Sequence, residues 1–293
     1  MTESGGHTRS EAVYLDVVSD DGEWAMVARL CRYPQRGVQW AWLHVFAGAR
    51  VYSFTDHGIA CGAAFTDLDA AHALYEATSG DLRIRFERRG AVAAPSAASL
   101  VAQVRAHAQE GASFVVPADG PGSVAVSVKA SFVPDAVPVS NRQGRHEMQG
   151  RVLAEMIVAG QPHRLEARGH FHEQEQTDPR FTVPFTYASL RGEDFGLIFI
   201  RGARGVRGQF TEGGRSVGLT RVDMSGPGSR RDIDLSLADG RRLHGTLQAR
   251  HRYEVRVQGE ARPASIVAGS IGGRACSGCV NDFRVDALPF LPS

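Results

Sequence analysis

The sequence predicts an all-β protein built from two antiparallel β-barrels that follow one another along the chain. Segments rich in valine, tyrosine, phenylalanine and tryptophan alternate with clusters of glycine, proline and aspartate, which is the pattern of strands and turns. The turn signals recur about every ten residues, a spacing typical of sandwiches and barrels. The pattern starts again near residue 176, so we predict one domain over residues 1–176 and a second over residues 177–293.

The elements of the first domain follow from these signals in order. The predicted strands are AVYLDVVS, WAMVARLCRYP, VQWAWLHVFAG, ARVYSFTDHG, DLRIRFERRG and SVAVSVKASFVP. They are followed by a predicted antiparallel hairpin, HEMQGRVLAEMIVAG and HRLEARGHFHEQ, around the turn AGQP. One short helical insertion is predicted within residues 96–110, because Leu100, Val101 and Val104 have helical spacing and Gly111 ends the segment.

The second domain reads as strands throughout. Its predicted strands are FTVPFTYASLRG, DFGLIFIRG, VRGQFTEGG, RSVGLTRVDMSG, RRDIDLSLADG and RRLHGTLQARHRYEVRV. Each is bounded by glycine, aspartate or serine, the residues that turns prefer. The two domains together therefore give two successive runs of strands.

The composition excludes several classes of function. With 43% hydrophobic residues, 22% charged residues and a net charge of +1, the chain lacks the basic bias of a nucleic-acid-binding protein. The N-terminus, MTESGGHTRSEA, has no apolar run, so we expect neither a signal peptide nor a membrane-spanning helix. The four cysteines are too few and too unevenly placed for a disulfide framework, so we expect a cytoplasmic location. We expect a hydrophobic small-molecule partner and no nucleic acid, and we leave transient membrane contact open.

The segment GHFHEQEQ, residues 169–176, concentrates the polar side chains that could carry chemistry. Because alternate residues of a strand share a face, four neutral hydrogen-bonding side chains line up on one side: His170, His172, Gln174 and Gln176. Such a row can hold a polar group of a ligand inside a cavity, and a solvent-exposed strand edge is the alternative. Glu175 joins this face only if the strand bulges; otherwise we expect it to pair with an arginine such as Arg180.

A metal site is not expected. His170 and His172 put two imidazoles on one face, but no third ligand follows at a suitable spacing. Cys276 and Cys279 form an isolated CxxC pair that reads as two buried thiols in a terminal strand. The sequence therefore predicts no metal and no cofactor.

A row of aromatic side chains lies upstream. Trp40, Trp42, His44 and Phe46 share one face of their predicted strand. They fit either a packed core or the wall of a cavity for an unsaturated ligand, where indole faces can stabilise a cation. Trp40, Trp42 and His44 are accordingly candidate substrate-binding residues.

Three groups of segments resemble a known family. They are HEMQGRV…GHFHEQEQTDPRF…PFTYASLRG, RSVGLTRVDMSG…RRDIDLSLADGRRLHGTLQA, and WAMVARLCRYPQRGVQWAWLHVFAGARVYSFTDHGI. Together they are similar to the tandem lipocalin-like (calycin) proteins that include carotenoid 1,2-hydratases, also called hydroxyneurosporene-synthase-like proteins. The resemblance spans most of the chain and implies two lipocalin-like barrels with a hydrophobic ligand cavity, in the first barrel or at the junction of the two.

The family motif Gly-His-Gly-His-Arg-Asp-His-Ser-Trp-Gly-Pro-Arg matches this chain in part. The matching positions are Gly169, His170, His172, Pro179 and Arg180, whereas the central Asp-His-Ser-Trp falls on Gln174, Glu175, Gln176 and Thr177. The resemblance implies acid chemistry at the Asp-His pair. We do not expect identical catalysis here, because that pair is replaced.

Two hypotheses of function follow. The first is a cofactor-independent enzyme, a cyclase/isomerase or a hydratase, acting on a hydrophobic unsaturated isoprenoid or polyketide-like substrate. Its predicted catalytic residues are Glu175, Gln174 and His172, and its predicted binding residues include His170, Gln176, Tyr187 and Glu147. Hydration needs a carboxylic acid of raised pKa, whereas cyclisation needs a folded cavity and a donor to a carbonyl. With neutral donors at the Asp-His positions, cyclisation or isomerisation fits better. The second hypothesis is a non-catalytic lipid or isoprenoid carrier.

Overall fold

The fold is that of an almost purely β protein. The computed structural model describes residues 9–117, 119–135, 138–140, 144–177, 184–257 and 260–283. These residues form twenty strands, and their one helical element is the 3₁₀ turn Pro34–Arg36. The predicted all-β class is confirmed. No helix in the described part of the chain is long and apolar enough to cross a membrane.

Eight strands of the first half close into a ring. The strands of this half are β1 (Arg9–Val18), β2 (Trp24–Tyr33), β3 (Val38–Ala47), β4 (Arg50–Ala60), β5 (His72–Ser79), β6 (Leu82–Arg89), β7 (Ala97–Glu110), β8 (Ser113–Val115), β9 (Val124–Pro134), β10 (Val139–Ser140), β11 (Arg145–Val158) and β12 (Gln161–Thr177). Antiparallel pairing runs β11–β12–β1–β2–β3–β4–β7–β9 and returns to β11. The hairpin predicted around AGQP is the β11–β12 pair.

The second half closes in the same way. Its strands are β13 (Phe185–Arg191), β14 (Phe195–Gly202), β15 (Gly205–Glu212), β16 (Arg215–Met224), β17 (Arg230–Leu237), β18 (Arg242–Val257), β19 (Glu260–Ile271) and β20 (Arg274–Phe283). Each pairs antiparallel with the next, and β20 pairs with β13. The short strand β8 leaves the first half and pairs parallel with β18. The predicted division at residue 176 falls at the end of β12 and stays a prediction.

The predicted helical insertion is wrong. Residues 97–110 form β7, which pairs with β6, β9 and β4. Leu100 and Val104 are buried, whereas Val101 is 38% exposed. The even-numbered positions from Ala98 to Ala106 all face the interior, so the true apolar period is two, and the apparent helical spacing came from the outward-facing Val101.

The core is divided into three layers. Apolar side chains fill the inside of the first ring, and a second set fills the inside of the other ring. The third layer lies between the two barrels, where outward-facing residues of β1–β4 meet β8 and β18–β20. We call this layer the seam; Tyr14, Trp40, Phe46, Tyr253 and Ile266 are among its buried members. The candidate functional residues border this layer.

Candidate functional site

The long strand β12 presents its predicted polar row to the second barrel. Its register with β1 and β11 is continuous, so the strand has no bulge here and alternate residues face opposite ways. Phe171 belongs to the interior of the first barrel, and the row that begins at His170 faces outward. Gly169 permits the close packing of this region, because a Cβ there would lie 2.5 Å from the Asp16 carbonyl oxygen.

Three predicted residues meet at the junction of the barrels. The Tyr187 hydroxyl donates to Oε2 of Glu147 at 3.1 Å and lies 3.4 Å from Nε2 of His170. The same imidazole nitrogen lies 3.7 Å from Oε2 of Glu147. Burial, and then the Glu147 carboxylate, raise the pKa of Tyr187 well above its ordinary value, which keeps the phenol a proton donor. A carboxylate, an imidazole and a phenol from β11, β12 and β13 thus share one buried site.

The other side of His170 faces a second carboxylate, which the sequence reading missed. Nδ1 of His170 lies 3.6 Å from Oδ2 of Asp16, and Asp16 forms an ion pair with Arg191 of the second barrel. The side chains of His170 and Asp16 are fully buried. Burial opposes ionisation, but Arg191 and His170 hold the pKa of Asp16 below its ordinary value. The site therefore contains a buried carboxylate, paired with Arg191, beside the imidazole.

Arg145 closes the opposite end of the site and was also missed. Its guanidinium pairs with Glu147, donates to Oε1 of Gln174 at 3.1 Å and lies 3.4 Å from Nδ1 of His172. It also lies 4.7 Å from the centre of the Tyr187 ring. Although burial opposes its charge, Glu147 and Tyr187 raise the pKa of Arg145 above its ordinary value. All four of these contacts are residues that the sequence had predicted.

His172, Gln174 and Gln176 extend the site along β12. The ring of Tyr14 stacks on His172, with ring centres 4.8 Å apart and planes 11° apart. Nε2 of Gln174 donates to Oε1 of Gln176. Burial, followed by the charge of Asp16, raises the pKa of Tyr14 well above its ordinary value. The predicted row is thus continuous with the Glu147–His170–Tyr187 site.

Glu173 and Glu175 of β12 point away from this site. Glu175 lies on the face opposite His172 and pairs with Arg9; Pro179 and Arg180, its predicted neighbour and partner, lie outside the described residues. Glu173 pairs with Arg88 inside the first barrel and accepts a 2.9 Å hydrogen bond from Tyr75. Burial raises the pKa of Glu173. The structure therefore does not bring the predicted acid Glu175 together with His172 and Gln174.

The upstream aromatic row lies on the seam. Trp40 and His44 are buried there, and Trp42 donates from Nε1 to Nε2 of His57 at 2.7 Å. Register neighbours lead from His172 through Tyr14 and Arg29 to Trp42, about 14 Å at the usual strand spacing. The row packs the two barrels together at a distance from Glu147.

The cysteine pair cannot act as one group. Cys276 faces the inside of the second barrel and Cys279 faces the seam, because the two residues are three positions apart along a strand and alternate residues face opposite sides. Burial raises the pKa of Cys276 to about 12 and that of Cys279 well above its ordinary value, which makes both thiols unreactive. Among the described residues, no group of three or more His, Cys, Asp or Glu side chains is arranged around a metal position.

Comparisons with known proteins address the fold. No protein-family model matches the sequence, and no curated protein matches it. Among solved structures the chain is similar to CghA with Sch210972, at a TM-score of 0.62 and 12% identity over 96% of this chain and 89% of that chain. It is also similar to an AttH-like protein of Nitrosomonas europaea, at a TM-score of 0.63 and 10% identity over 94% and 92%. The fold is the tandem lipocalin-like fold.

A third solved structure extends this comparison. Kievitone hydratase from Nectria haematococca matches at a TM-score of 0.50 and 9% identity, over 94% of this chain and 89% of that chain. The tandem lipocalin-like fold was predicted from the sequence resemblance. At these identities the likeness concerns the fold, and the chemistry has to be argued from this chain's own residues.

Two missed residues of the site left a signal in the sequence. Asp16 is a single carboxylate inside the apolar run YLDVV, and Arg191 ends the strand FTYASLR. A charge within a strand that otherwise reads as core is expected to have a buried partner. The sequence contains no sign that these two residues, 175 positions apart, are each other's partner.

Proposed function

We propose that this chain is a cofactor-independent enzyme of the cyclase/isomerase or hydratase type, acting at the junction of its two barrels. The observation that carries the proposal is the buried set of Glu147, His170 and Tyr187, completed by Asp16. Buried ionisable groups that contact one another across a domain junction are typical of active sites. A carrier of apolar ligands needs no such set.

The set can polarise a carbonyl and move a proton. The Tyr187 hydroxyl is a neutral donor that can turn toward a substrate oxygen, where one positioned donor supplies stabilisation of developing negative charge. His170 can take a proton from the substrate carbon skeleton and return it at another position. Asp16, 3.6 Å from Nδ1, stabilises the imidazolium formed in between. The outcome is double-bond migration, or ring closure of a chain held in its reactive shape.

Hydration fits the residues less well. Protonation of an alkene carbon requires a carboxylic acid held in its neutral form. At the junction the two carboxylates, Asp16 and Glu147, are each paired with an arginine. Glu173 does have a raised pKa, but it lies inside the first barrel. We therefore favour cyclisation or isomerisation over hydration.

The proposed substrate is hydrophobic and unsaturated, of the isoprenoid or polyketide-like class. The second barrel continues the site with aromatic rings: Phe185 and Phe283 lie 5.5 Å apart, and Phe185 shares a strand face with Tyr187. A solved structure with this fold carries a bound small molecule, Sch210972, and another is a hydratase by name. These two likenesses support an enzyme with an organic substrate.

Tyr187→Phe tests the proposal. The change removes one hydroxyl from the site, and we expect turnover to fall roughly a hundredfold, the scale for loss of a positioned donor. The measurement is product formation by purified protein on an extract of a strain that lacks the gene. Tyr253→Phe is the matched control, because Tyr253 is a buried tyrosine of the seam outside the Glu147 contacts. Equal turnover in both variants would contradict the proposal, and ligand binding without any turnover would establish the carrier.

A further inference from the structure

The outer side of the first barrel carries most of the exposed large apolar side chains. Leu74, Val101, Val133 and Ile157 are exposed there by 38%, 38%, 55% and 51%, whereas in the rest of the described chain only Ile200 is comparable. The four lie on β5, β7, β9 and β11, which are joined through β6 in one sheet. Exposed apolar residues gathered on one face, rather than scattered, indicate a contact surface.

Exposed cations outnumber carboxylates on the strands of this face. On β5, β6, β7, β9 and β11 the exposed Lys and Arg residues are Arg83, Arg85, Arg89, Arg105, Lys129 and Arg151. The exposed or half-buried carboxylates on the same strands are Glu76, Glu87, Glu110 and Glu155. Cations therefore outnumber carboxylates by six to four on a chain whose overall charge is +1. Lys129, the only lysine of the sequence, is the register neighbour of Val101.

We propose that this surface, defined by Arg83, Val101, Lys129, Val133, Arg151 and Ile157, docks on an anionic lipid membrane. Interleaved apolar tips and cations match the acyl boundary and the phosphate layer of such a membrane. A groove of about 550 Å³, lined by Val101, Ile157 and Pro162, opens on the same face. A second copy of the chain is a poorer occupant, because it would oppose cations with cations.

The proposed surface lies away from the candidate site. Ile157 and Glu147 lie on the same strand, β11, ten positions apart, which is about 33 Å along an extended strand. Docking at the Ile157 end would leave the junction of the barrels clear of the membrane. The docking proposal does not depend on the reaction, since it rests on exposed residues away from Glu147, His170 and Tyr187.

Vesicle co-sedimentation tests the proposal. The purified chain is expected to sediment with vesicles of phosphatidylcholine and phosphatidylserine, not with phosphatidylcholine alone, and to be released by added salt. For the triple variant Lys129→Gln/Arg151→Gln/Ile157→Ser we expect the partitioning of the protein onto phosphatidylserine vesicles to fall at least tenfold, since each lost cation weakens membrane binding roughly fivefold. These positions are exposed, so the melting temperature should stay unchanged. Lys129→Gln/Arg151→Gln alone isolates the charge effect.

A matched control lies on the second barrel. Arg207→Gln/Arg215→Gln/Ile200→Ser removes the same charges and an equivalent apolar side chain from exposed positions there, and it should bind as the unchanged chain does. Equal sedimentation with both vesicle types, or an equal loss in the control, would overturn the proposal. A dimer in solution that the first triple variant disperses would assign the surface to a second copy instead.

Discussion

His44 is a histidine held neutral inside the seam. It is 1% exposed, its ring lies 5.5 Å from that of Tyr253, and within the described residues neither ring nitrogen has a hydrogen-bond partner. Burial lowers the pKa of His44 from 6.5 to about 3. A buried imidazole without a polar partner cannot stabilise a bound proton. His44 therefore stays unprotonated in the folded chain under conditions in which the unfolded chain binds a proton there.

This difference predicts an acid-sensitive contribution to stability. Below about pH 6.5 the unfolded chain binds a proton at His44 and the folded chain does not, so stability falls as pH falls. The contribution of neutral His44 to the free energy of unfolding is complete above about pH 6.5, and it declines by about 1.4 kcal/mol per pH unit toward pH 3. We expect His44→Leu to remove this slope when urea unfolding is followed over roughly pH 4–6. His244→Leu, at an exposed ion-paired histidine, should keep it; an unchanged slope in His44→Leu would refute the assignment.

At the scale of the single element, β7 shows how packing decides between the residue period of a helix and that of a strand. Leu100 is fully buried among the core residues of the first barrel, while its neighbour Val101 points outward. Successive residues of a strand face opposite sides. In a helix that buried the face formed by Leu100, Val101 and Val104, both Leu100 and Val101 would instead pack against the core.

Substitutions at Leu100 and Val101 distinguish a strand from a helix in this segment. Leu100→Ala should cost about 2–5 kcal/mol of unfolding free energy, because it leaves a cavity in the barrel core. Val101→Ala should cost less than about 0.5 kcal/mol, as surface changes generally do. The measurement is denaturant unfolding of both variants by circular dichroism. Similar losses at the two positions would contradict the strand assignment.

At the scale of the whole molecule, buried polar contacts join the two barrels. Asp16 of β1 pairs with Arg191 of β13, Glu147 of β11 accepts from Tyr187, and Gln149 donates to the Leu190 carbonyl at 3.2 Å. The apolar seam lies alongside them. The candidate site therefore requires both barrels, and its geometry depends on their contact.

Removal of one partner of the buried pair should destabilise the entire chain. We expect Arg191→Met to cost about 3–5 kcal/mol, because it leaves the Asp16 carboxylate buried and uncompensated. Asp16→Asn/Arg191→Met should recover part of that loss, which a double-mutant cycle measures. Arg221→Met, at an exposed pair with Asp223, is the control and should cost under about 1 kcal/mol. A loss in Arg191→Met no larger than the control would show that the pair does not couple the barrels.

The sequence by itself determined most of the strands, the β11–β12 hairpin and the shared face of His170, His172 and Gln174, although β5 and β19 were not among the predicted strands. These features are set by local periodicity and turn residues, which can be read along the chain. It also singled out Glu147 and Tyr187, which do meet at the site. The same local reading misassigned β7, where alternating alanines gave a weak signal of period two.

Only the tertiary structure decided which face of β12 meets the second barrel, and which residues contact that face. Glu175 was placed with Arg9, and Asp16 and Arg191 were brought to His170, across separations that no local pattern encodes. A buried charge is tolerated because of a partner chosen by the packing of whole sheets. The identity of that partner is therefore a property of the fold, whereas the alternation of the strand is a property of the sequence.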